Sequence, residues 1–382
     1  FNRAFEELTG IPAKEAKAKK ITTKTYSEAV GILTTCLDTI AICGTHGKTT
    51  TTAMASITLI NNLQDPTVIV GALVPELQNE NFRLGKSKFF ILESCEYKRA
   101  FLEYSPQIII LNNIEADHLD YYKDLEDYIS AYDAFLNRLP DTGLIIANID
   151  DKNIEKLLET HLNKTIITFG ENQKANYRLQ ENKIYFKNEL LIDLNLKIPG
   201  KHNLMNATGI IALNHALNLD IENAKLALEK YLGSSRRFEI KGKIGKAIII
   251  DDYAHHPTEI IATLKGIREK YGSEAKVLTI FQPHQLSRTI KLLKEFGKSF
   301  KDSDLVLIPN LYEVRDKTED KDKISVDELI KEINSNDDQK AQNSQNFEET
   351  IEYVKTNHHN FDFIITMGAG DINQIAESLV KN

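Results

Sequence analysis

The segment Ile40-Ala-Ile-Cys-Gly-Thr-His-Gly-Lys-Thr-Thr-Thr-Thr52 constrains this chain more than any other. A strand-length apolar run ends at Gly44. After Gly47 a helical pattern begins, with Ala53, Met54, Ile57 and Ile60 on one side. Strand, glycine loop and helix in that order make an anion cradle. Glycines let backbone N–H groups approach phosphate oxygens, and the helix N-terminus favours negative charge. Within Gly44, Thr45, His46 and Gly47 the backbone would wrap a phosphate chain. Lys48 would neutralise its outer phosphates, and Thr49 or Thr50 would offer a hydroxyl to Mg²⁺. The general phosphate-loop pattern has a further glycine where this chain has Ile42. A plain glycine turn with a solvated Lys48 is the alternative, and the order of the flanking elements weighs against it.

The rest of the chain supplies the sheet that such a loop needs. Short β-rich runs alternate with amphipathic helices from Thr39 onward, as in a mostly parallel sheet covered on both faces. Strands are expected at Thr39–Cys43, Lys88–Leu92, Gln107–Leu111, Gly143–Ala147 and Thr165–Phe169, then a meander through Lys183–Phe186 and Leu190–Leu196. Helices follow near His202 (Leu204, Ala207 and Ile211 sharing a face) and over Ile221 to Leu232, before a linker at Gly233-Ser-Ser235. A second α/β series then begins. Strand Ala247–Ile250 feeds a helix over Pro257–Tyr271, started by Pro257, stopped by Gly272 and buried along Ile260, Ile261, Leu264 and Ile267. Strands Lys276–Phe281, Asp304–Ile308 and Phe361–Thr366 complete it. The polar stretch from Lys331 to Glu349 is expected to be a solvated connection, with disorder possible. Residues 1 to about 37 carry a charged helix, a short extended piece and a helix at Tyr26–Thr35, without a complete α/β unit. The expected architecture is thus an α/β chain with a phosphate-loop central domain at 39–235. A Rossmann-like α/β domain at 236–382 follows it.

With 382 residues there is room for two or three cores. A net charge of −8 argues against bulk binding to nucleic acid or anionic lipid. Cys36, Cys43 and Cys95 lack a CxxC spacing, which disfavours a disulfide framework or structural zinc and suits a reducing compartment. The apolar runs are strand-sized, too short for a membrane span, and the N-terminus has no secretory pattern.

Two acidic clusters would stand at strand ends, where ligands of open α/β sheets bind. Glu93 and Glu96 follow the strand before Ser94. Asn113, Glu115, Asp117, His118 and Asp120 follow the next. Either cluster alone reads more readily as a capped, solvated loop. Two in succession beside a phosphate loop point to Mg²⁺, which takes few carboxylates together with phosphate oxygens.

In this order the motifs resemble those of the Mur ligases. That family has a GTxGKT loop (here Gly44–Thr49), an acidic strand end (Glu93) and a TNIxxDHxD segment (Asn112–Asp120, with Asn112 in place of Thr). Later matches are Gly200-Lys-His-Asn-Leu-Met-Asn-Ala207, Ser235-Arg-Arg-Phe-Glu239, Asp251-Asp-Tyr-Ala-His-His-Pro-Thr-Glu259, Phe281-Gln-Pro-His284 and Met367-Gly-Ala-Gly-Asp371. His46, the paired histidines and Phe281–His284 resemble the L-alanine-adding branch. Cys95 and Tyr97 depart from it where an Asp is usual.

The resemblance covers residue 21 to the end. It implies a cytoplasmic ATP- and Mg²⁺-dependent ligase of peptidoglycan precursor synthesis. UDP-N-acetylmuramate would be phosphorylated on its lactyl carboxylate, and L-alanine would then displace phosphate from the acyl phosphate. Neither nucleic acid nor membrane would be a partner, and homo-oligomerisation is left open.

Residue roles are carried over on the same basis. Lys48 would stabilise the γ-phosphoryl group, Thr49 and Glu93 would hold one Mg²⁺, and His118 a second. Asn203 and Asn206 would contact adenine, with Asn113 and Asp252 also on the nucleotide. Arg237, counted as catalytic, would touch nucleotide or substrate, and His255, His256, His284 and Arg288 would bind substrate. Plainer readings exist for several of these: Asn203 or one of the paired histidines as a helix cap, His284 as a loop residue, Arg236 and Arg237 as a linker pair. The family places a UDP-binding domain before the phosphate loop, and residues 1–38 would be its remnant and linker, so that this chain would be a fragment. Competing functions are a sister ligase (murein-peptide recycling or folylpolyglutamate synthesis), a nucleotide-binding module that makes no amide, and an inactive remnant.

Overall fold

The structure, a computed structural model, describes residues 24–381 apart from 315, 317–319, 321–322 and 337–339. Helix α1 (Tyr26–Thr34) opens under a capping box between Thr25 and Glu28. The charged helix expected before it lies outside the described residues, as does almost all of the extended piece.

Strand β1 (Asp38–Cys43) shows why the glycine loop sits where it does. Ile40 and Ile42 enter one core, while Ala41 and Cys43 enter another on the opposite face. A strand buried on both faces is a central strand of a parallel sheet. Helix α2 (Lys48–Asn61), β2 (Thr67–Val74), β3 (Glu80–Arg83), β4 (Phe89–Glu93) and β5 (Ile108–Leu111) follow. Then come α3 (Leu125–Leu136), β6 (Leu144–Asn148), α4 (Lys152–Leu158), β7 (Thr165–Gly170), β8 (Tyr177–Gln180), β9 (Lys183–Phe186) and β10 (Glu189–Asp193). They form a ten-stranded sheet in the order β10-β9-β8-β7-β6-β5-β1-β4-β2-β3. Pairing is parallel from β2 through β8 and antiparallel at both edges. Neither β2 and β3 nor β8 was expected. In β2, Gly71 interrupts the β-branched run Thr67–Val70, and the hairpin lies at an edge, where alternation is weakest.

Helix α2 is buried all round rather than on one stripe, with Thr49 to Leu59 out of solvent. It lies between the sheet and two helices, α5 (Lys201–Ala216) and α6 (Ile221–Lys230). Several of its hydroxyls are absorbed by the helix itself. Thr52 donates to Lys48 O and Ser56 to Thr52 O, so a run of threonines can occupy an apolar position.

The second unit begins with β11 (Glu239–Ile244), β12 (Ala247–Asp252), α7 (Pro257–Tyr271), β13 (Val277–Phe281), α8 (Leu286–Lys291) and β14 (Leu305–Ile308). It continues with α9 (Val326–Asn336), β15 (Ala341–Asn343), α10 (Phe347–Asn357) and β16 (Phe363–Met367), and a last helix over Asn373–Val380 packs on β11, β12 and β16. The six-stranded sheet runs β11-β12-β16-β13-β14-β15, with β11 alone antiparallel.

Two expectations are corrected here. Ile261 is 43% exposed and leaves the stripe to Ile260, Thr263, Leu264 and Ile267, because residue 261 stands 100° off the buried line on a 3.6-residue helix. The stretch Lys331–Glu349 is not a solvated connection. Leu329 and Ile333 of α9, four residues apart, are fully buried, and Ala341 of β15 pairs with Val306. Its polar composition reports only the outer faces of these elements.

Candidate functional site

The loop between β1 and α2 is stapled to the loop after β5. Asn113 O accepts from Thr45 N, Asn113 Oδ1 from His46 N at 2.7 Å, and Asn113 Nδ2 donates to His46 O. Thr45 Oγ1 donates to Glu115 O and accepts from Glu115 N, both at 2.9 Å. Gly44 (φ +135°) and Gly47 (φ +77°) take conformations that L side chains avoid. A Cβ on Gly47 would stand 3.0 Å from Asn206 Oδ1. The turn is held by residues distant in sequence as well as by its own neighbours.

Lys48 folds back over this loop. Its Nζ donates to Gly44 O (2.7 Å) and Thr45 O (2.9 Å) and pairs with Glu96 at 3.0 Å. Glu96 is fully buried and also accepts from Tyr128 Oη at 3.0 Å. Burial penalises the Lys48 ammonium, yet Glu96 outweighs it and holds the group well above its ordinary range. Burial pushes Glu96 up in turn, and Lys48 and His118 bring it below the usual carboxylate range. His118 Nε2 lies 3.4 Å from Glu96, with its ring against Tyr97.

Thr49 Oγ1 donates to Glu93 Oε1 at 2.9 Å, and the other Glu93 oxygen accepts from Gly71 N. Hydroxyl and carboxylate therefore stand side by side at the start of α2, a donor set of hard oxygens that suits Mg²⁺. His118 reaches the same neighbourhood through Glu96.

The second unit leans over this face. Arg236 is anchored on Asp251, Gly368 O and Gly370 O. That leaves Arg237 to point at the loop, its guanidinium 4.7 Å from the Tyr253 ring and 3.4 Å from Thr49 Oγ1. Asp252 accepts from Phe238 N and Ala254 N, each at 2.8 Å, and burial raises its carboxyl to about 6 despite those bonds.

Glu259 on α7 accepts from His255 N and lies 3.0 Å from His46 Nδ1, while His46 Nε2 lies 3.0 Å from Glu115. Burial alone would lower His46, but the hydrogen bonds to Glu115 and Glu259 raise it to about 9. A protonated His46 thus stands between carboxylates of two units.

Between the units lies a cavity of about 560 Å³. His46, Gly47, Thr50, Asn113, Asn203, Asn206, Arg237 and Asp252 line it. The structure thereby brings together the loop, the α5 N-terminus and the linker side of the second sheet. Asn203 also donates to Pro199 O, in the manner of a helix-start residue.

The residues expected on substrate are spread differently. Burial lowers His255 to about 3, so its imidazole is neutral at ordinary pH, with Nδ1 donating to Tyr253 O. His256 is the N-cap of α7, in a capping box with Glu259. His284 stacks on Tyr312. Arg288 is taken up by Asp117, with Nη2 at 2.8 Å and Nε at 3.2 Å. That pair joins α8 to the loop after β5 and is nearly solvent-free.

Glu96, Glu115, Glu259 and Tyr128 carry much of this network; Glu96 and Glu115 were expected only as members of the two acidic clusters, and Glu259 and Tyr128 had no expected role. Glu96 had a signal, since it follows Glu93 by three residues. Glu259 had one as the third helical residue of a capping box. Tyr128 had none.

The chain matches the Mur ligase middle domain over residues 42–214 and the Mur ligase glutamate ligase domain over residues 236–370. It is 42% identical over 355 residues to UDP-N-acetylmuramate–L-alanine ligase of Acetivibrio thermocellus, covering 90% of this chain and 74% of that protein. The enzyme of the same name from Clostridium acetobutylicum is 39% identical over 353 residues, covering 90% and 75%. The solved UDP-N-acetylmuramate–alanine ligase of Thermotoga maritima superposes with a TM-score of 0.77 at 26% identity, over 96% of this chain and 80% of that one.

Proposed function

The chain belongs to the Mur ligase family, and on that premise we propose that it joins L-alanine to the lactyl carboxylate of UDP-N-acetylmuramate with ATP as the driving nucleotide. The observation that carries this is the 42% identity to a ligase of that name across nine-tenths of the chain. A sister-ligase reading gives way to it, because the relatives above are named for alanine addition.

The residues present fit ATP and Mg²⁺. The cavity beside the glycine loop has the volume for a nucleotide, and Asn203 and Asn206 lie on the α5 end of it, where adenine would sit. Mg²⁺ would be held by Thr49 and Glu93, with His118 for a second ion, and would neutralise charge on the phosphates. Phosphoryl transfer needs positioning and charge neutralisation rather than a protein nucleophile. The lactyl carboxylate oxygen attacks the γ-phosphorus, its bond to the β-bridging oxygen breaks, and ADP leaves. The amine of L-alanine then adds to the acyl carbonyl, phosphate departs with the C–O electron pair, and the ammonium proton is lost to solvent. Lys48 is held over the loop by Gly44 O and Thr45 O and paired with Glu96, which keeps a positive charge at the start of α2, where the phosphates would lie. Arg237 approaches the same Thr49 from the other unit and would supply a second positive charge when the units are together.

The test is phosphate release from ATP and Mg²⁺ with UDP-N-acetylmuramate, with and without L-alanine. Release that depends on L-alanine, with a product mass increased by one alanyl residue, is the expected result. Release that responds to D-glutamate or a dipeptide instead would overturn the assignment.

A further inference from the structure

One cluster at the seam between the units is not used by the phosphoryl-transfer and acyl-transfer steps above. His46, Glu115 and His256 each present a ligand atom within 4.8 Å of the others. Two observations beyond that proximity bear on it. His256 is 3% exposed, and its Nε2 is buried with no hydrogen-bond partner among the described residues, an arrangement that native interiors avoid unless something fills it. Its ring lies 4.9 Å from the His46 ring, centroid to centroid.

We propose that His46, Glu115 and His256 form a site for one transition-metal ion of the Zn²⁺ class, joining the phosphate loop to the start of α7. Two imidazoles and a carboxylate are a donor set for Zn²⁺, Co²⁺ or Ni²⁺ and a poor one for Mg²⁺, which prefers oxygens. Three protein ligands leave a fourth, open position in a tetrahedral site. The surroundings are those of a supported metal ligand. The second nitrogen of His46 faces Glu259 at 3.0 Å, and the second oxygen of Glu115 accepts from Thr258 Oγ1 at 2.8 Å. Outer carboxylates and hydroxyls of this kind orient ligating side chains.

Without metal, the proton on His46 supplies the positive charge between Glu115 and Glu259. An incoming ion displaces that proton to solvent. Coordination through His256 Nε2 moves its ring proton to Nδ1 and gives up the 3.4 Å cap contact from Thr258 N, a long bond and a small loss. Because His46 and Glu115 belong to the ten-stranded unit and His256 to the six-stranded one, the ion would hold the two together. Two of its three ligands, His46 and Glu115, also line the cavity.

The proposal does not depend on which amino acid is joined, so its test uses neither nucleotide nor substrate. Metal-free protein is titrated with Co²⁺ and the visible d–d absorption of tetrahedral cobalt is followed. One equivalent is expected to develop the band, and Zn²⁺ but not excess Mg²⁺ to abolish it. His256→Asn retains a good N-cap and removes the imidazole, while Glu115→Gln alters a different element. Both are expected to weaken binding by at least about tenfold, with unchanged circular dichroism. His118→Ala is expected to leave the band in place. No band in the unaltered protein overturns the site. So does a band that persists in His256→Asn and Glu115→Gln but disappears in His118→Ala.

Discussion

Lys48 and Glu96 show how a single residue pair couples stability to chemistry. Removing one partner of a buried ion pair leaves the other uncompensated, typically at about 3–5 kcal/mol. Lys48→Ala should therefore lower the thermal midpoint as well as reduce alanine-dependent turnover by about 10²–10³-fold or more. The Lys48→Ala/Glu96→Gln double variant should regain much of the midpoint and none of the turnover. Recovery of turnover in the double variant would remove Lys48 from the reaction. His46 carries a pH signature. Its folded value of about 9 lies above the ordinary 6.5, so its contribution to stability is complete below about 6.5 and fades as pH rises through 9. Unfolding followed from pH 6 to 10 should show this decline, and His46→Asn should lack it. A parallel decline in both proteins would mean that other groups are responsible.

At the scale of elements, helix α5 brings Asn203 and Asn206 to the nucleotide loop only because its middle can lie close to the sheet. Gly209 allows that approach, for a Cβ there would meet the Phe169 ring of β7 at 3.0 Å. Gly209→Val should cost about 1–3 kcal/mol in denaturant unfolding and raise the apparent KM for ATP more than it lowers kcat. A neutral effect on both would show that the helix can shift without consequence. This contact was not legible beforehand. The helix itself was, since Leu204, Ala207 and Ile211 share a face, but periodicity identifies a buried side without naming what lies beneath it. Helix α7 is a partial case. Pro257 and Gly272 marked both of its ends, whereas its buried stripe was drawn one residue too wide at Ile261.

At the scale of the molecule, the two units meet through charged groups as well as through the cavity. Asp117 and Arg288 form a nearly solvent-free pair across the seam, and Thr258 donates to Glu115 nearby. Asp117→Asn leaves the Arg288 guanidinium without a carboxylate. We expect it to destabilise the protein by about 3 kcal/mol and to broaden the distance distribution in small-angle X-ray scattering. Scattering identical to that of the unaltered protein would show that the cavity walls suffice to hold the units. Salt up to 1 M should change this contact little, since screening acts mainly on exposed charges.

Local chemistry was written along the chain. Alternating buried strands, the glycine loop, Lys48, Thr49 and the acidic strand ends follow from spacing and residue type, because backbone geometry links each to its immediate neighbours. Partnership across the fold was not. Glu96 under Lys48, Glu259 against His46 and Asp117 against Arg288 join residues separated by 48, 213 and 171 positions. Such pairs exist only after the sheets have stacked their loops at one seam, since the free energy of a buried charge is decided by what surrounds it.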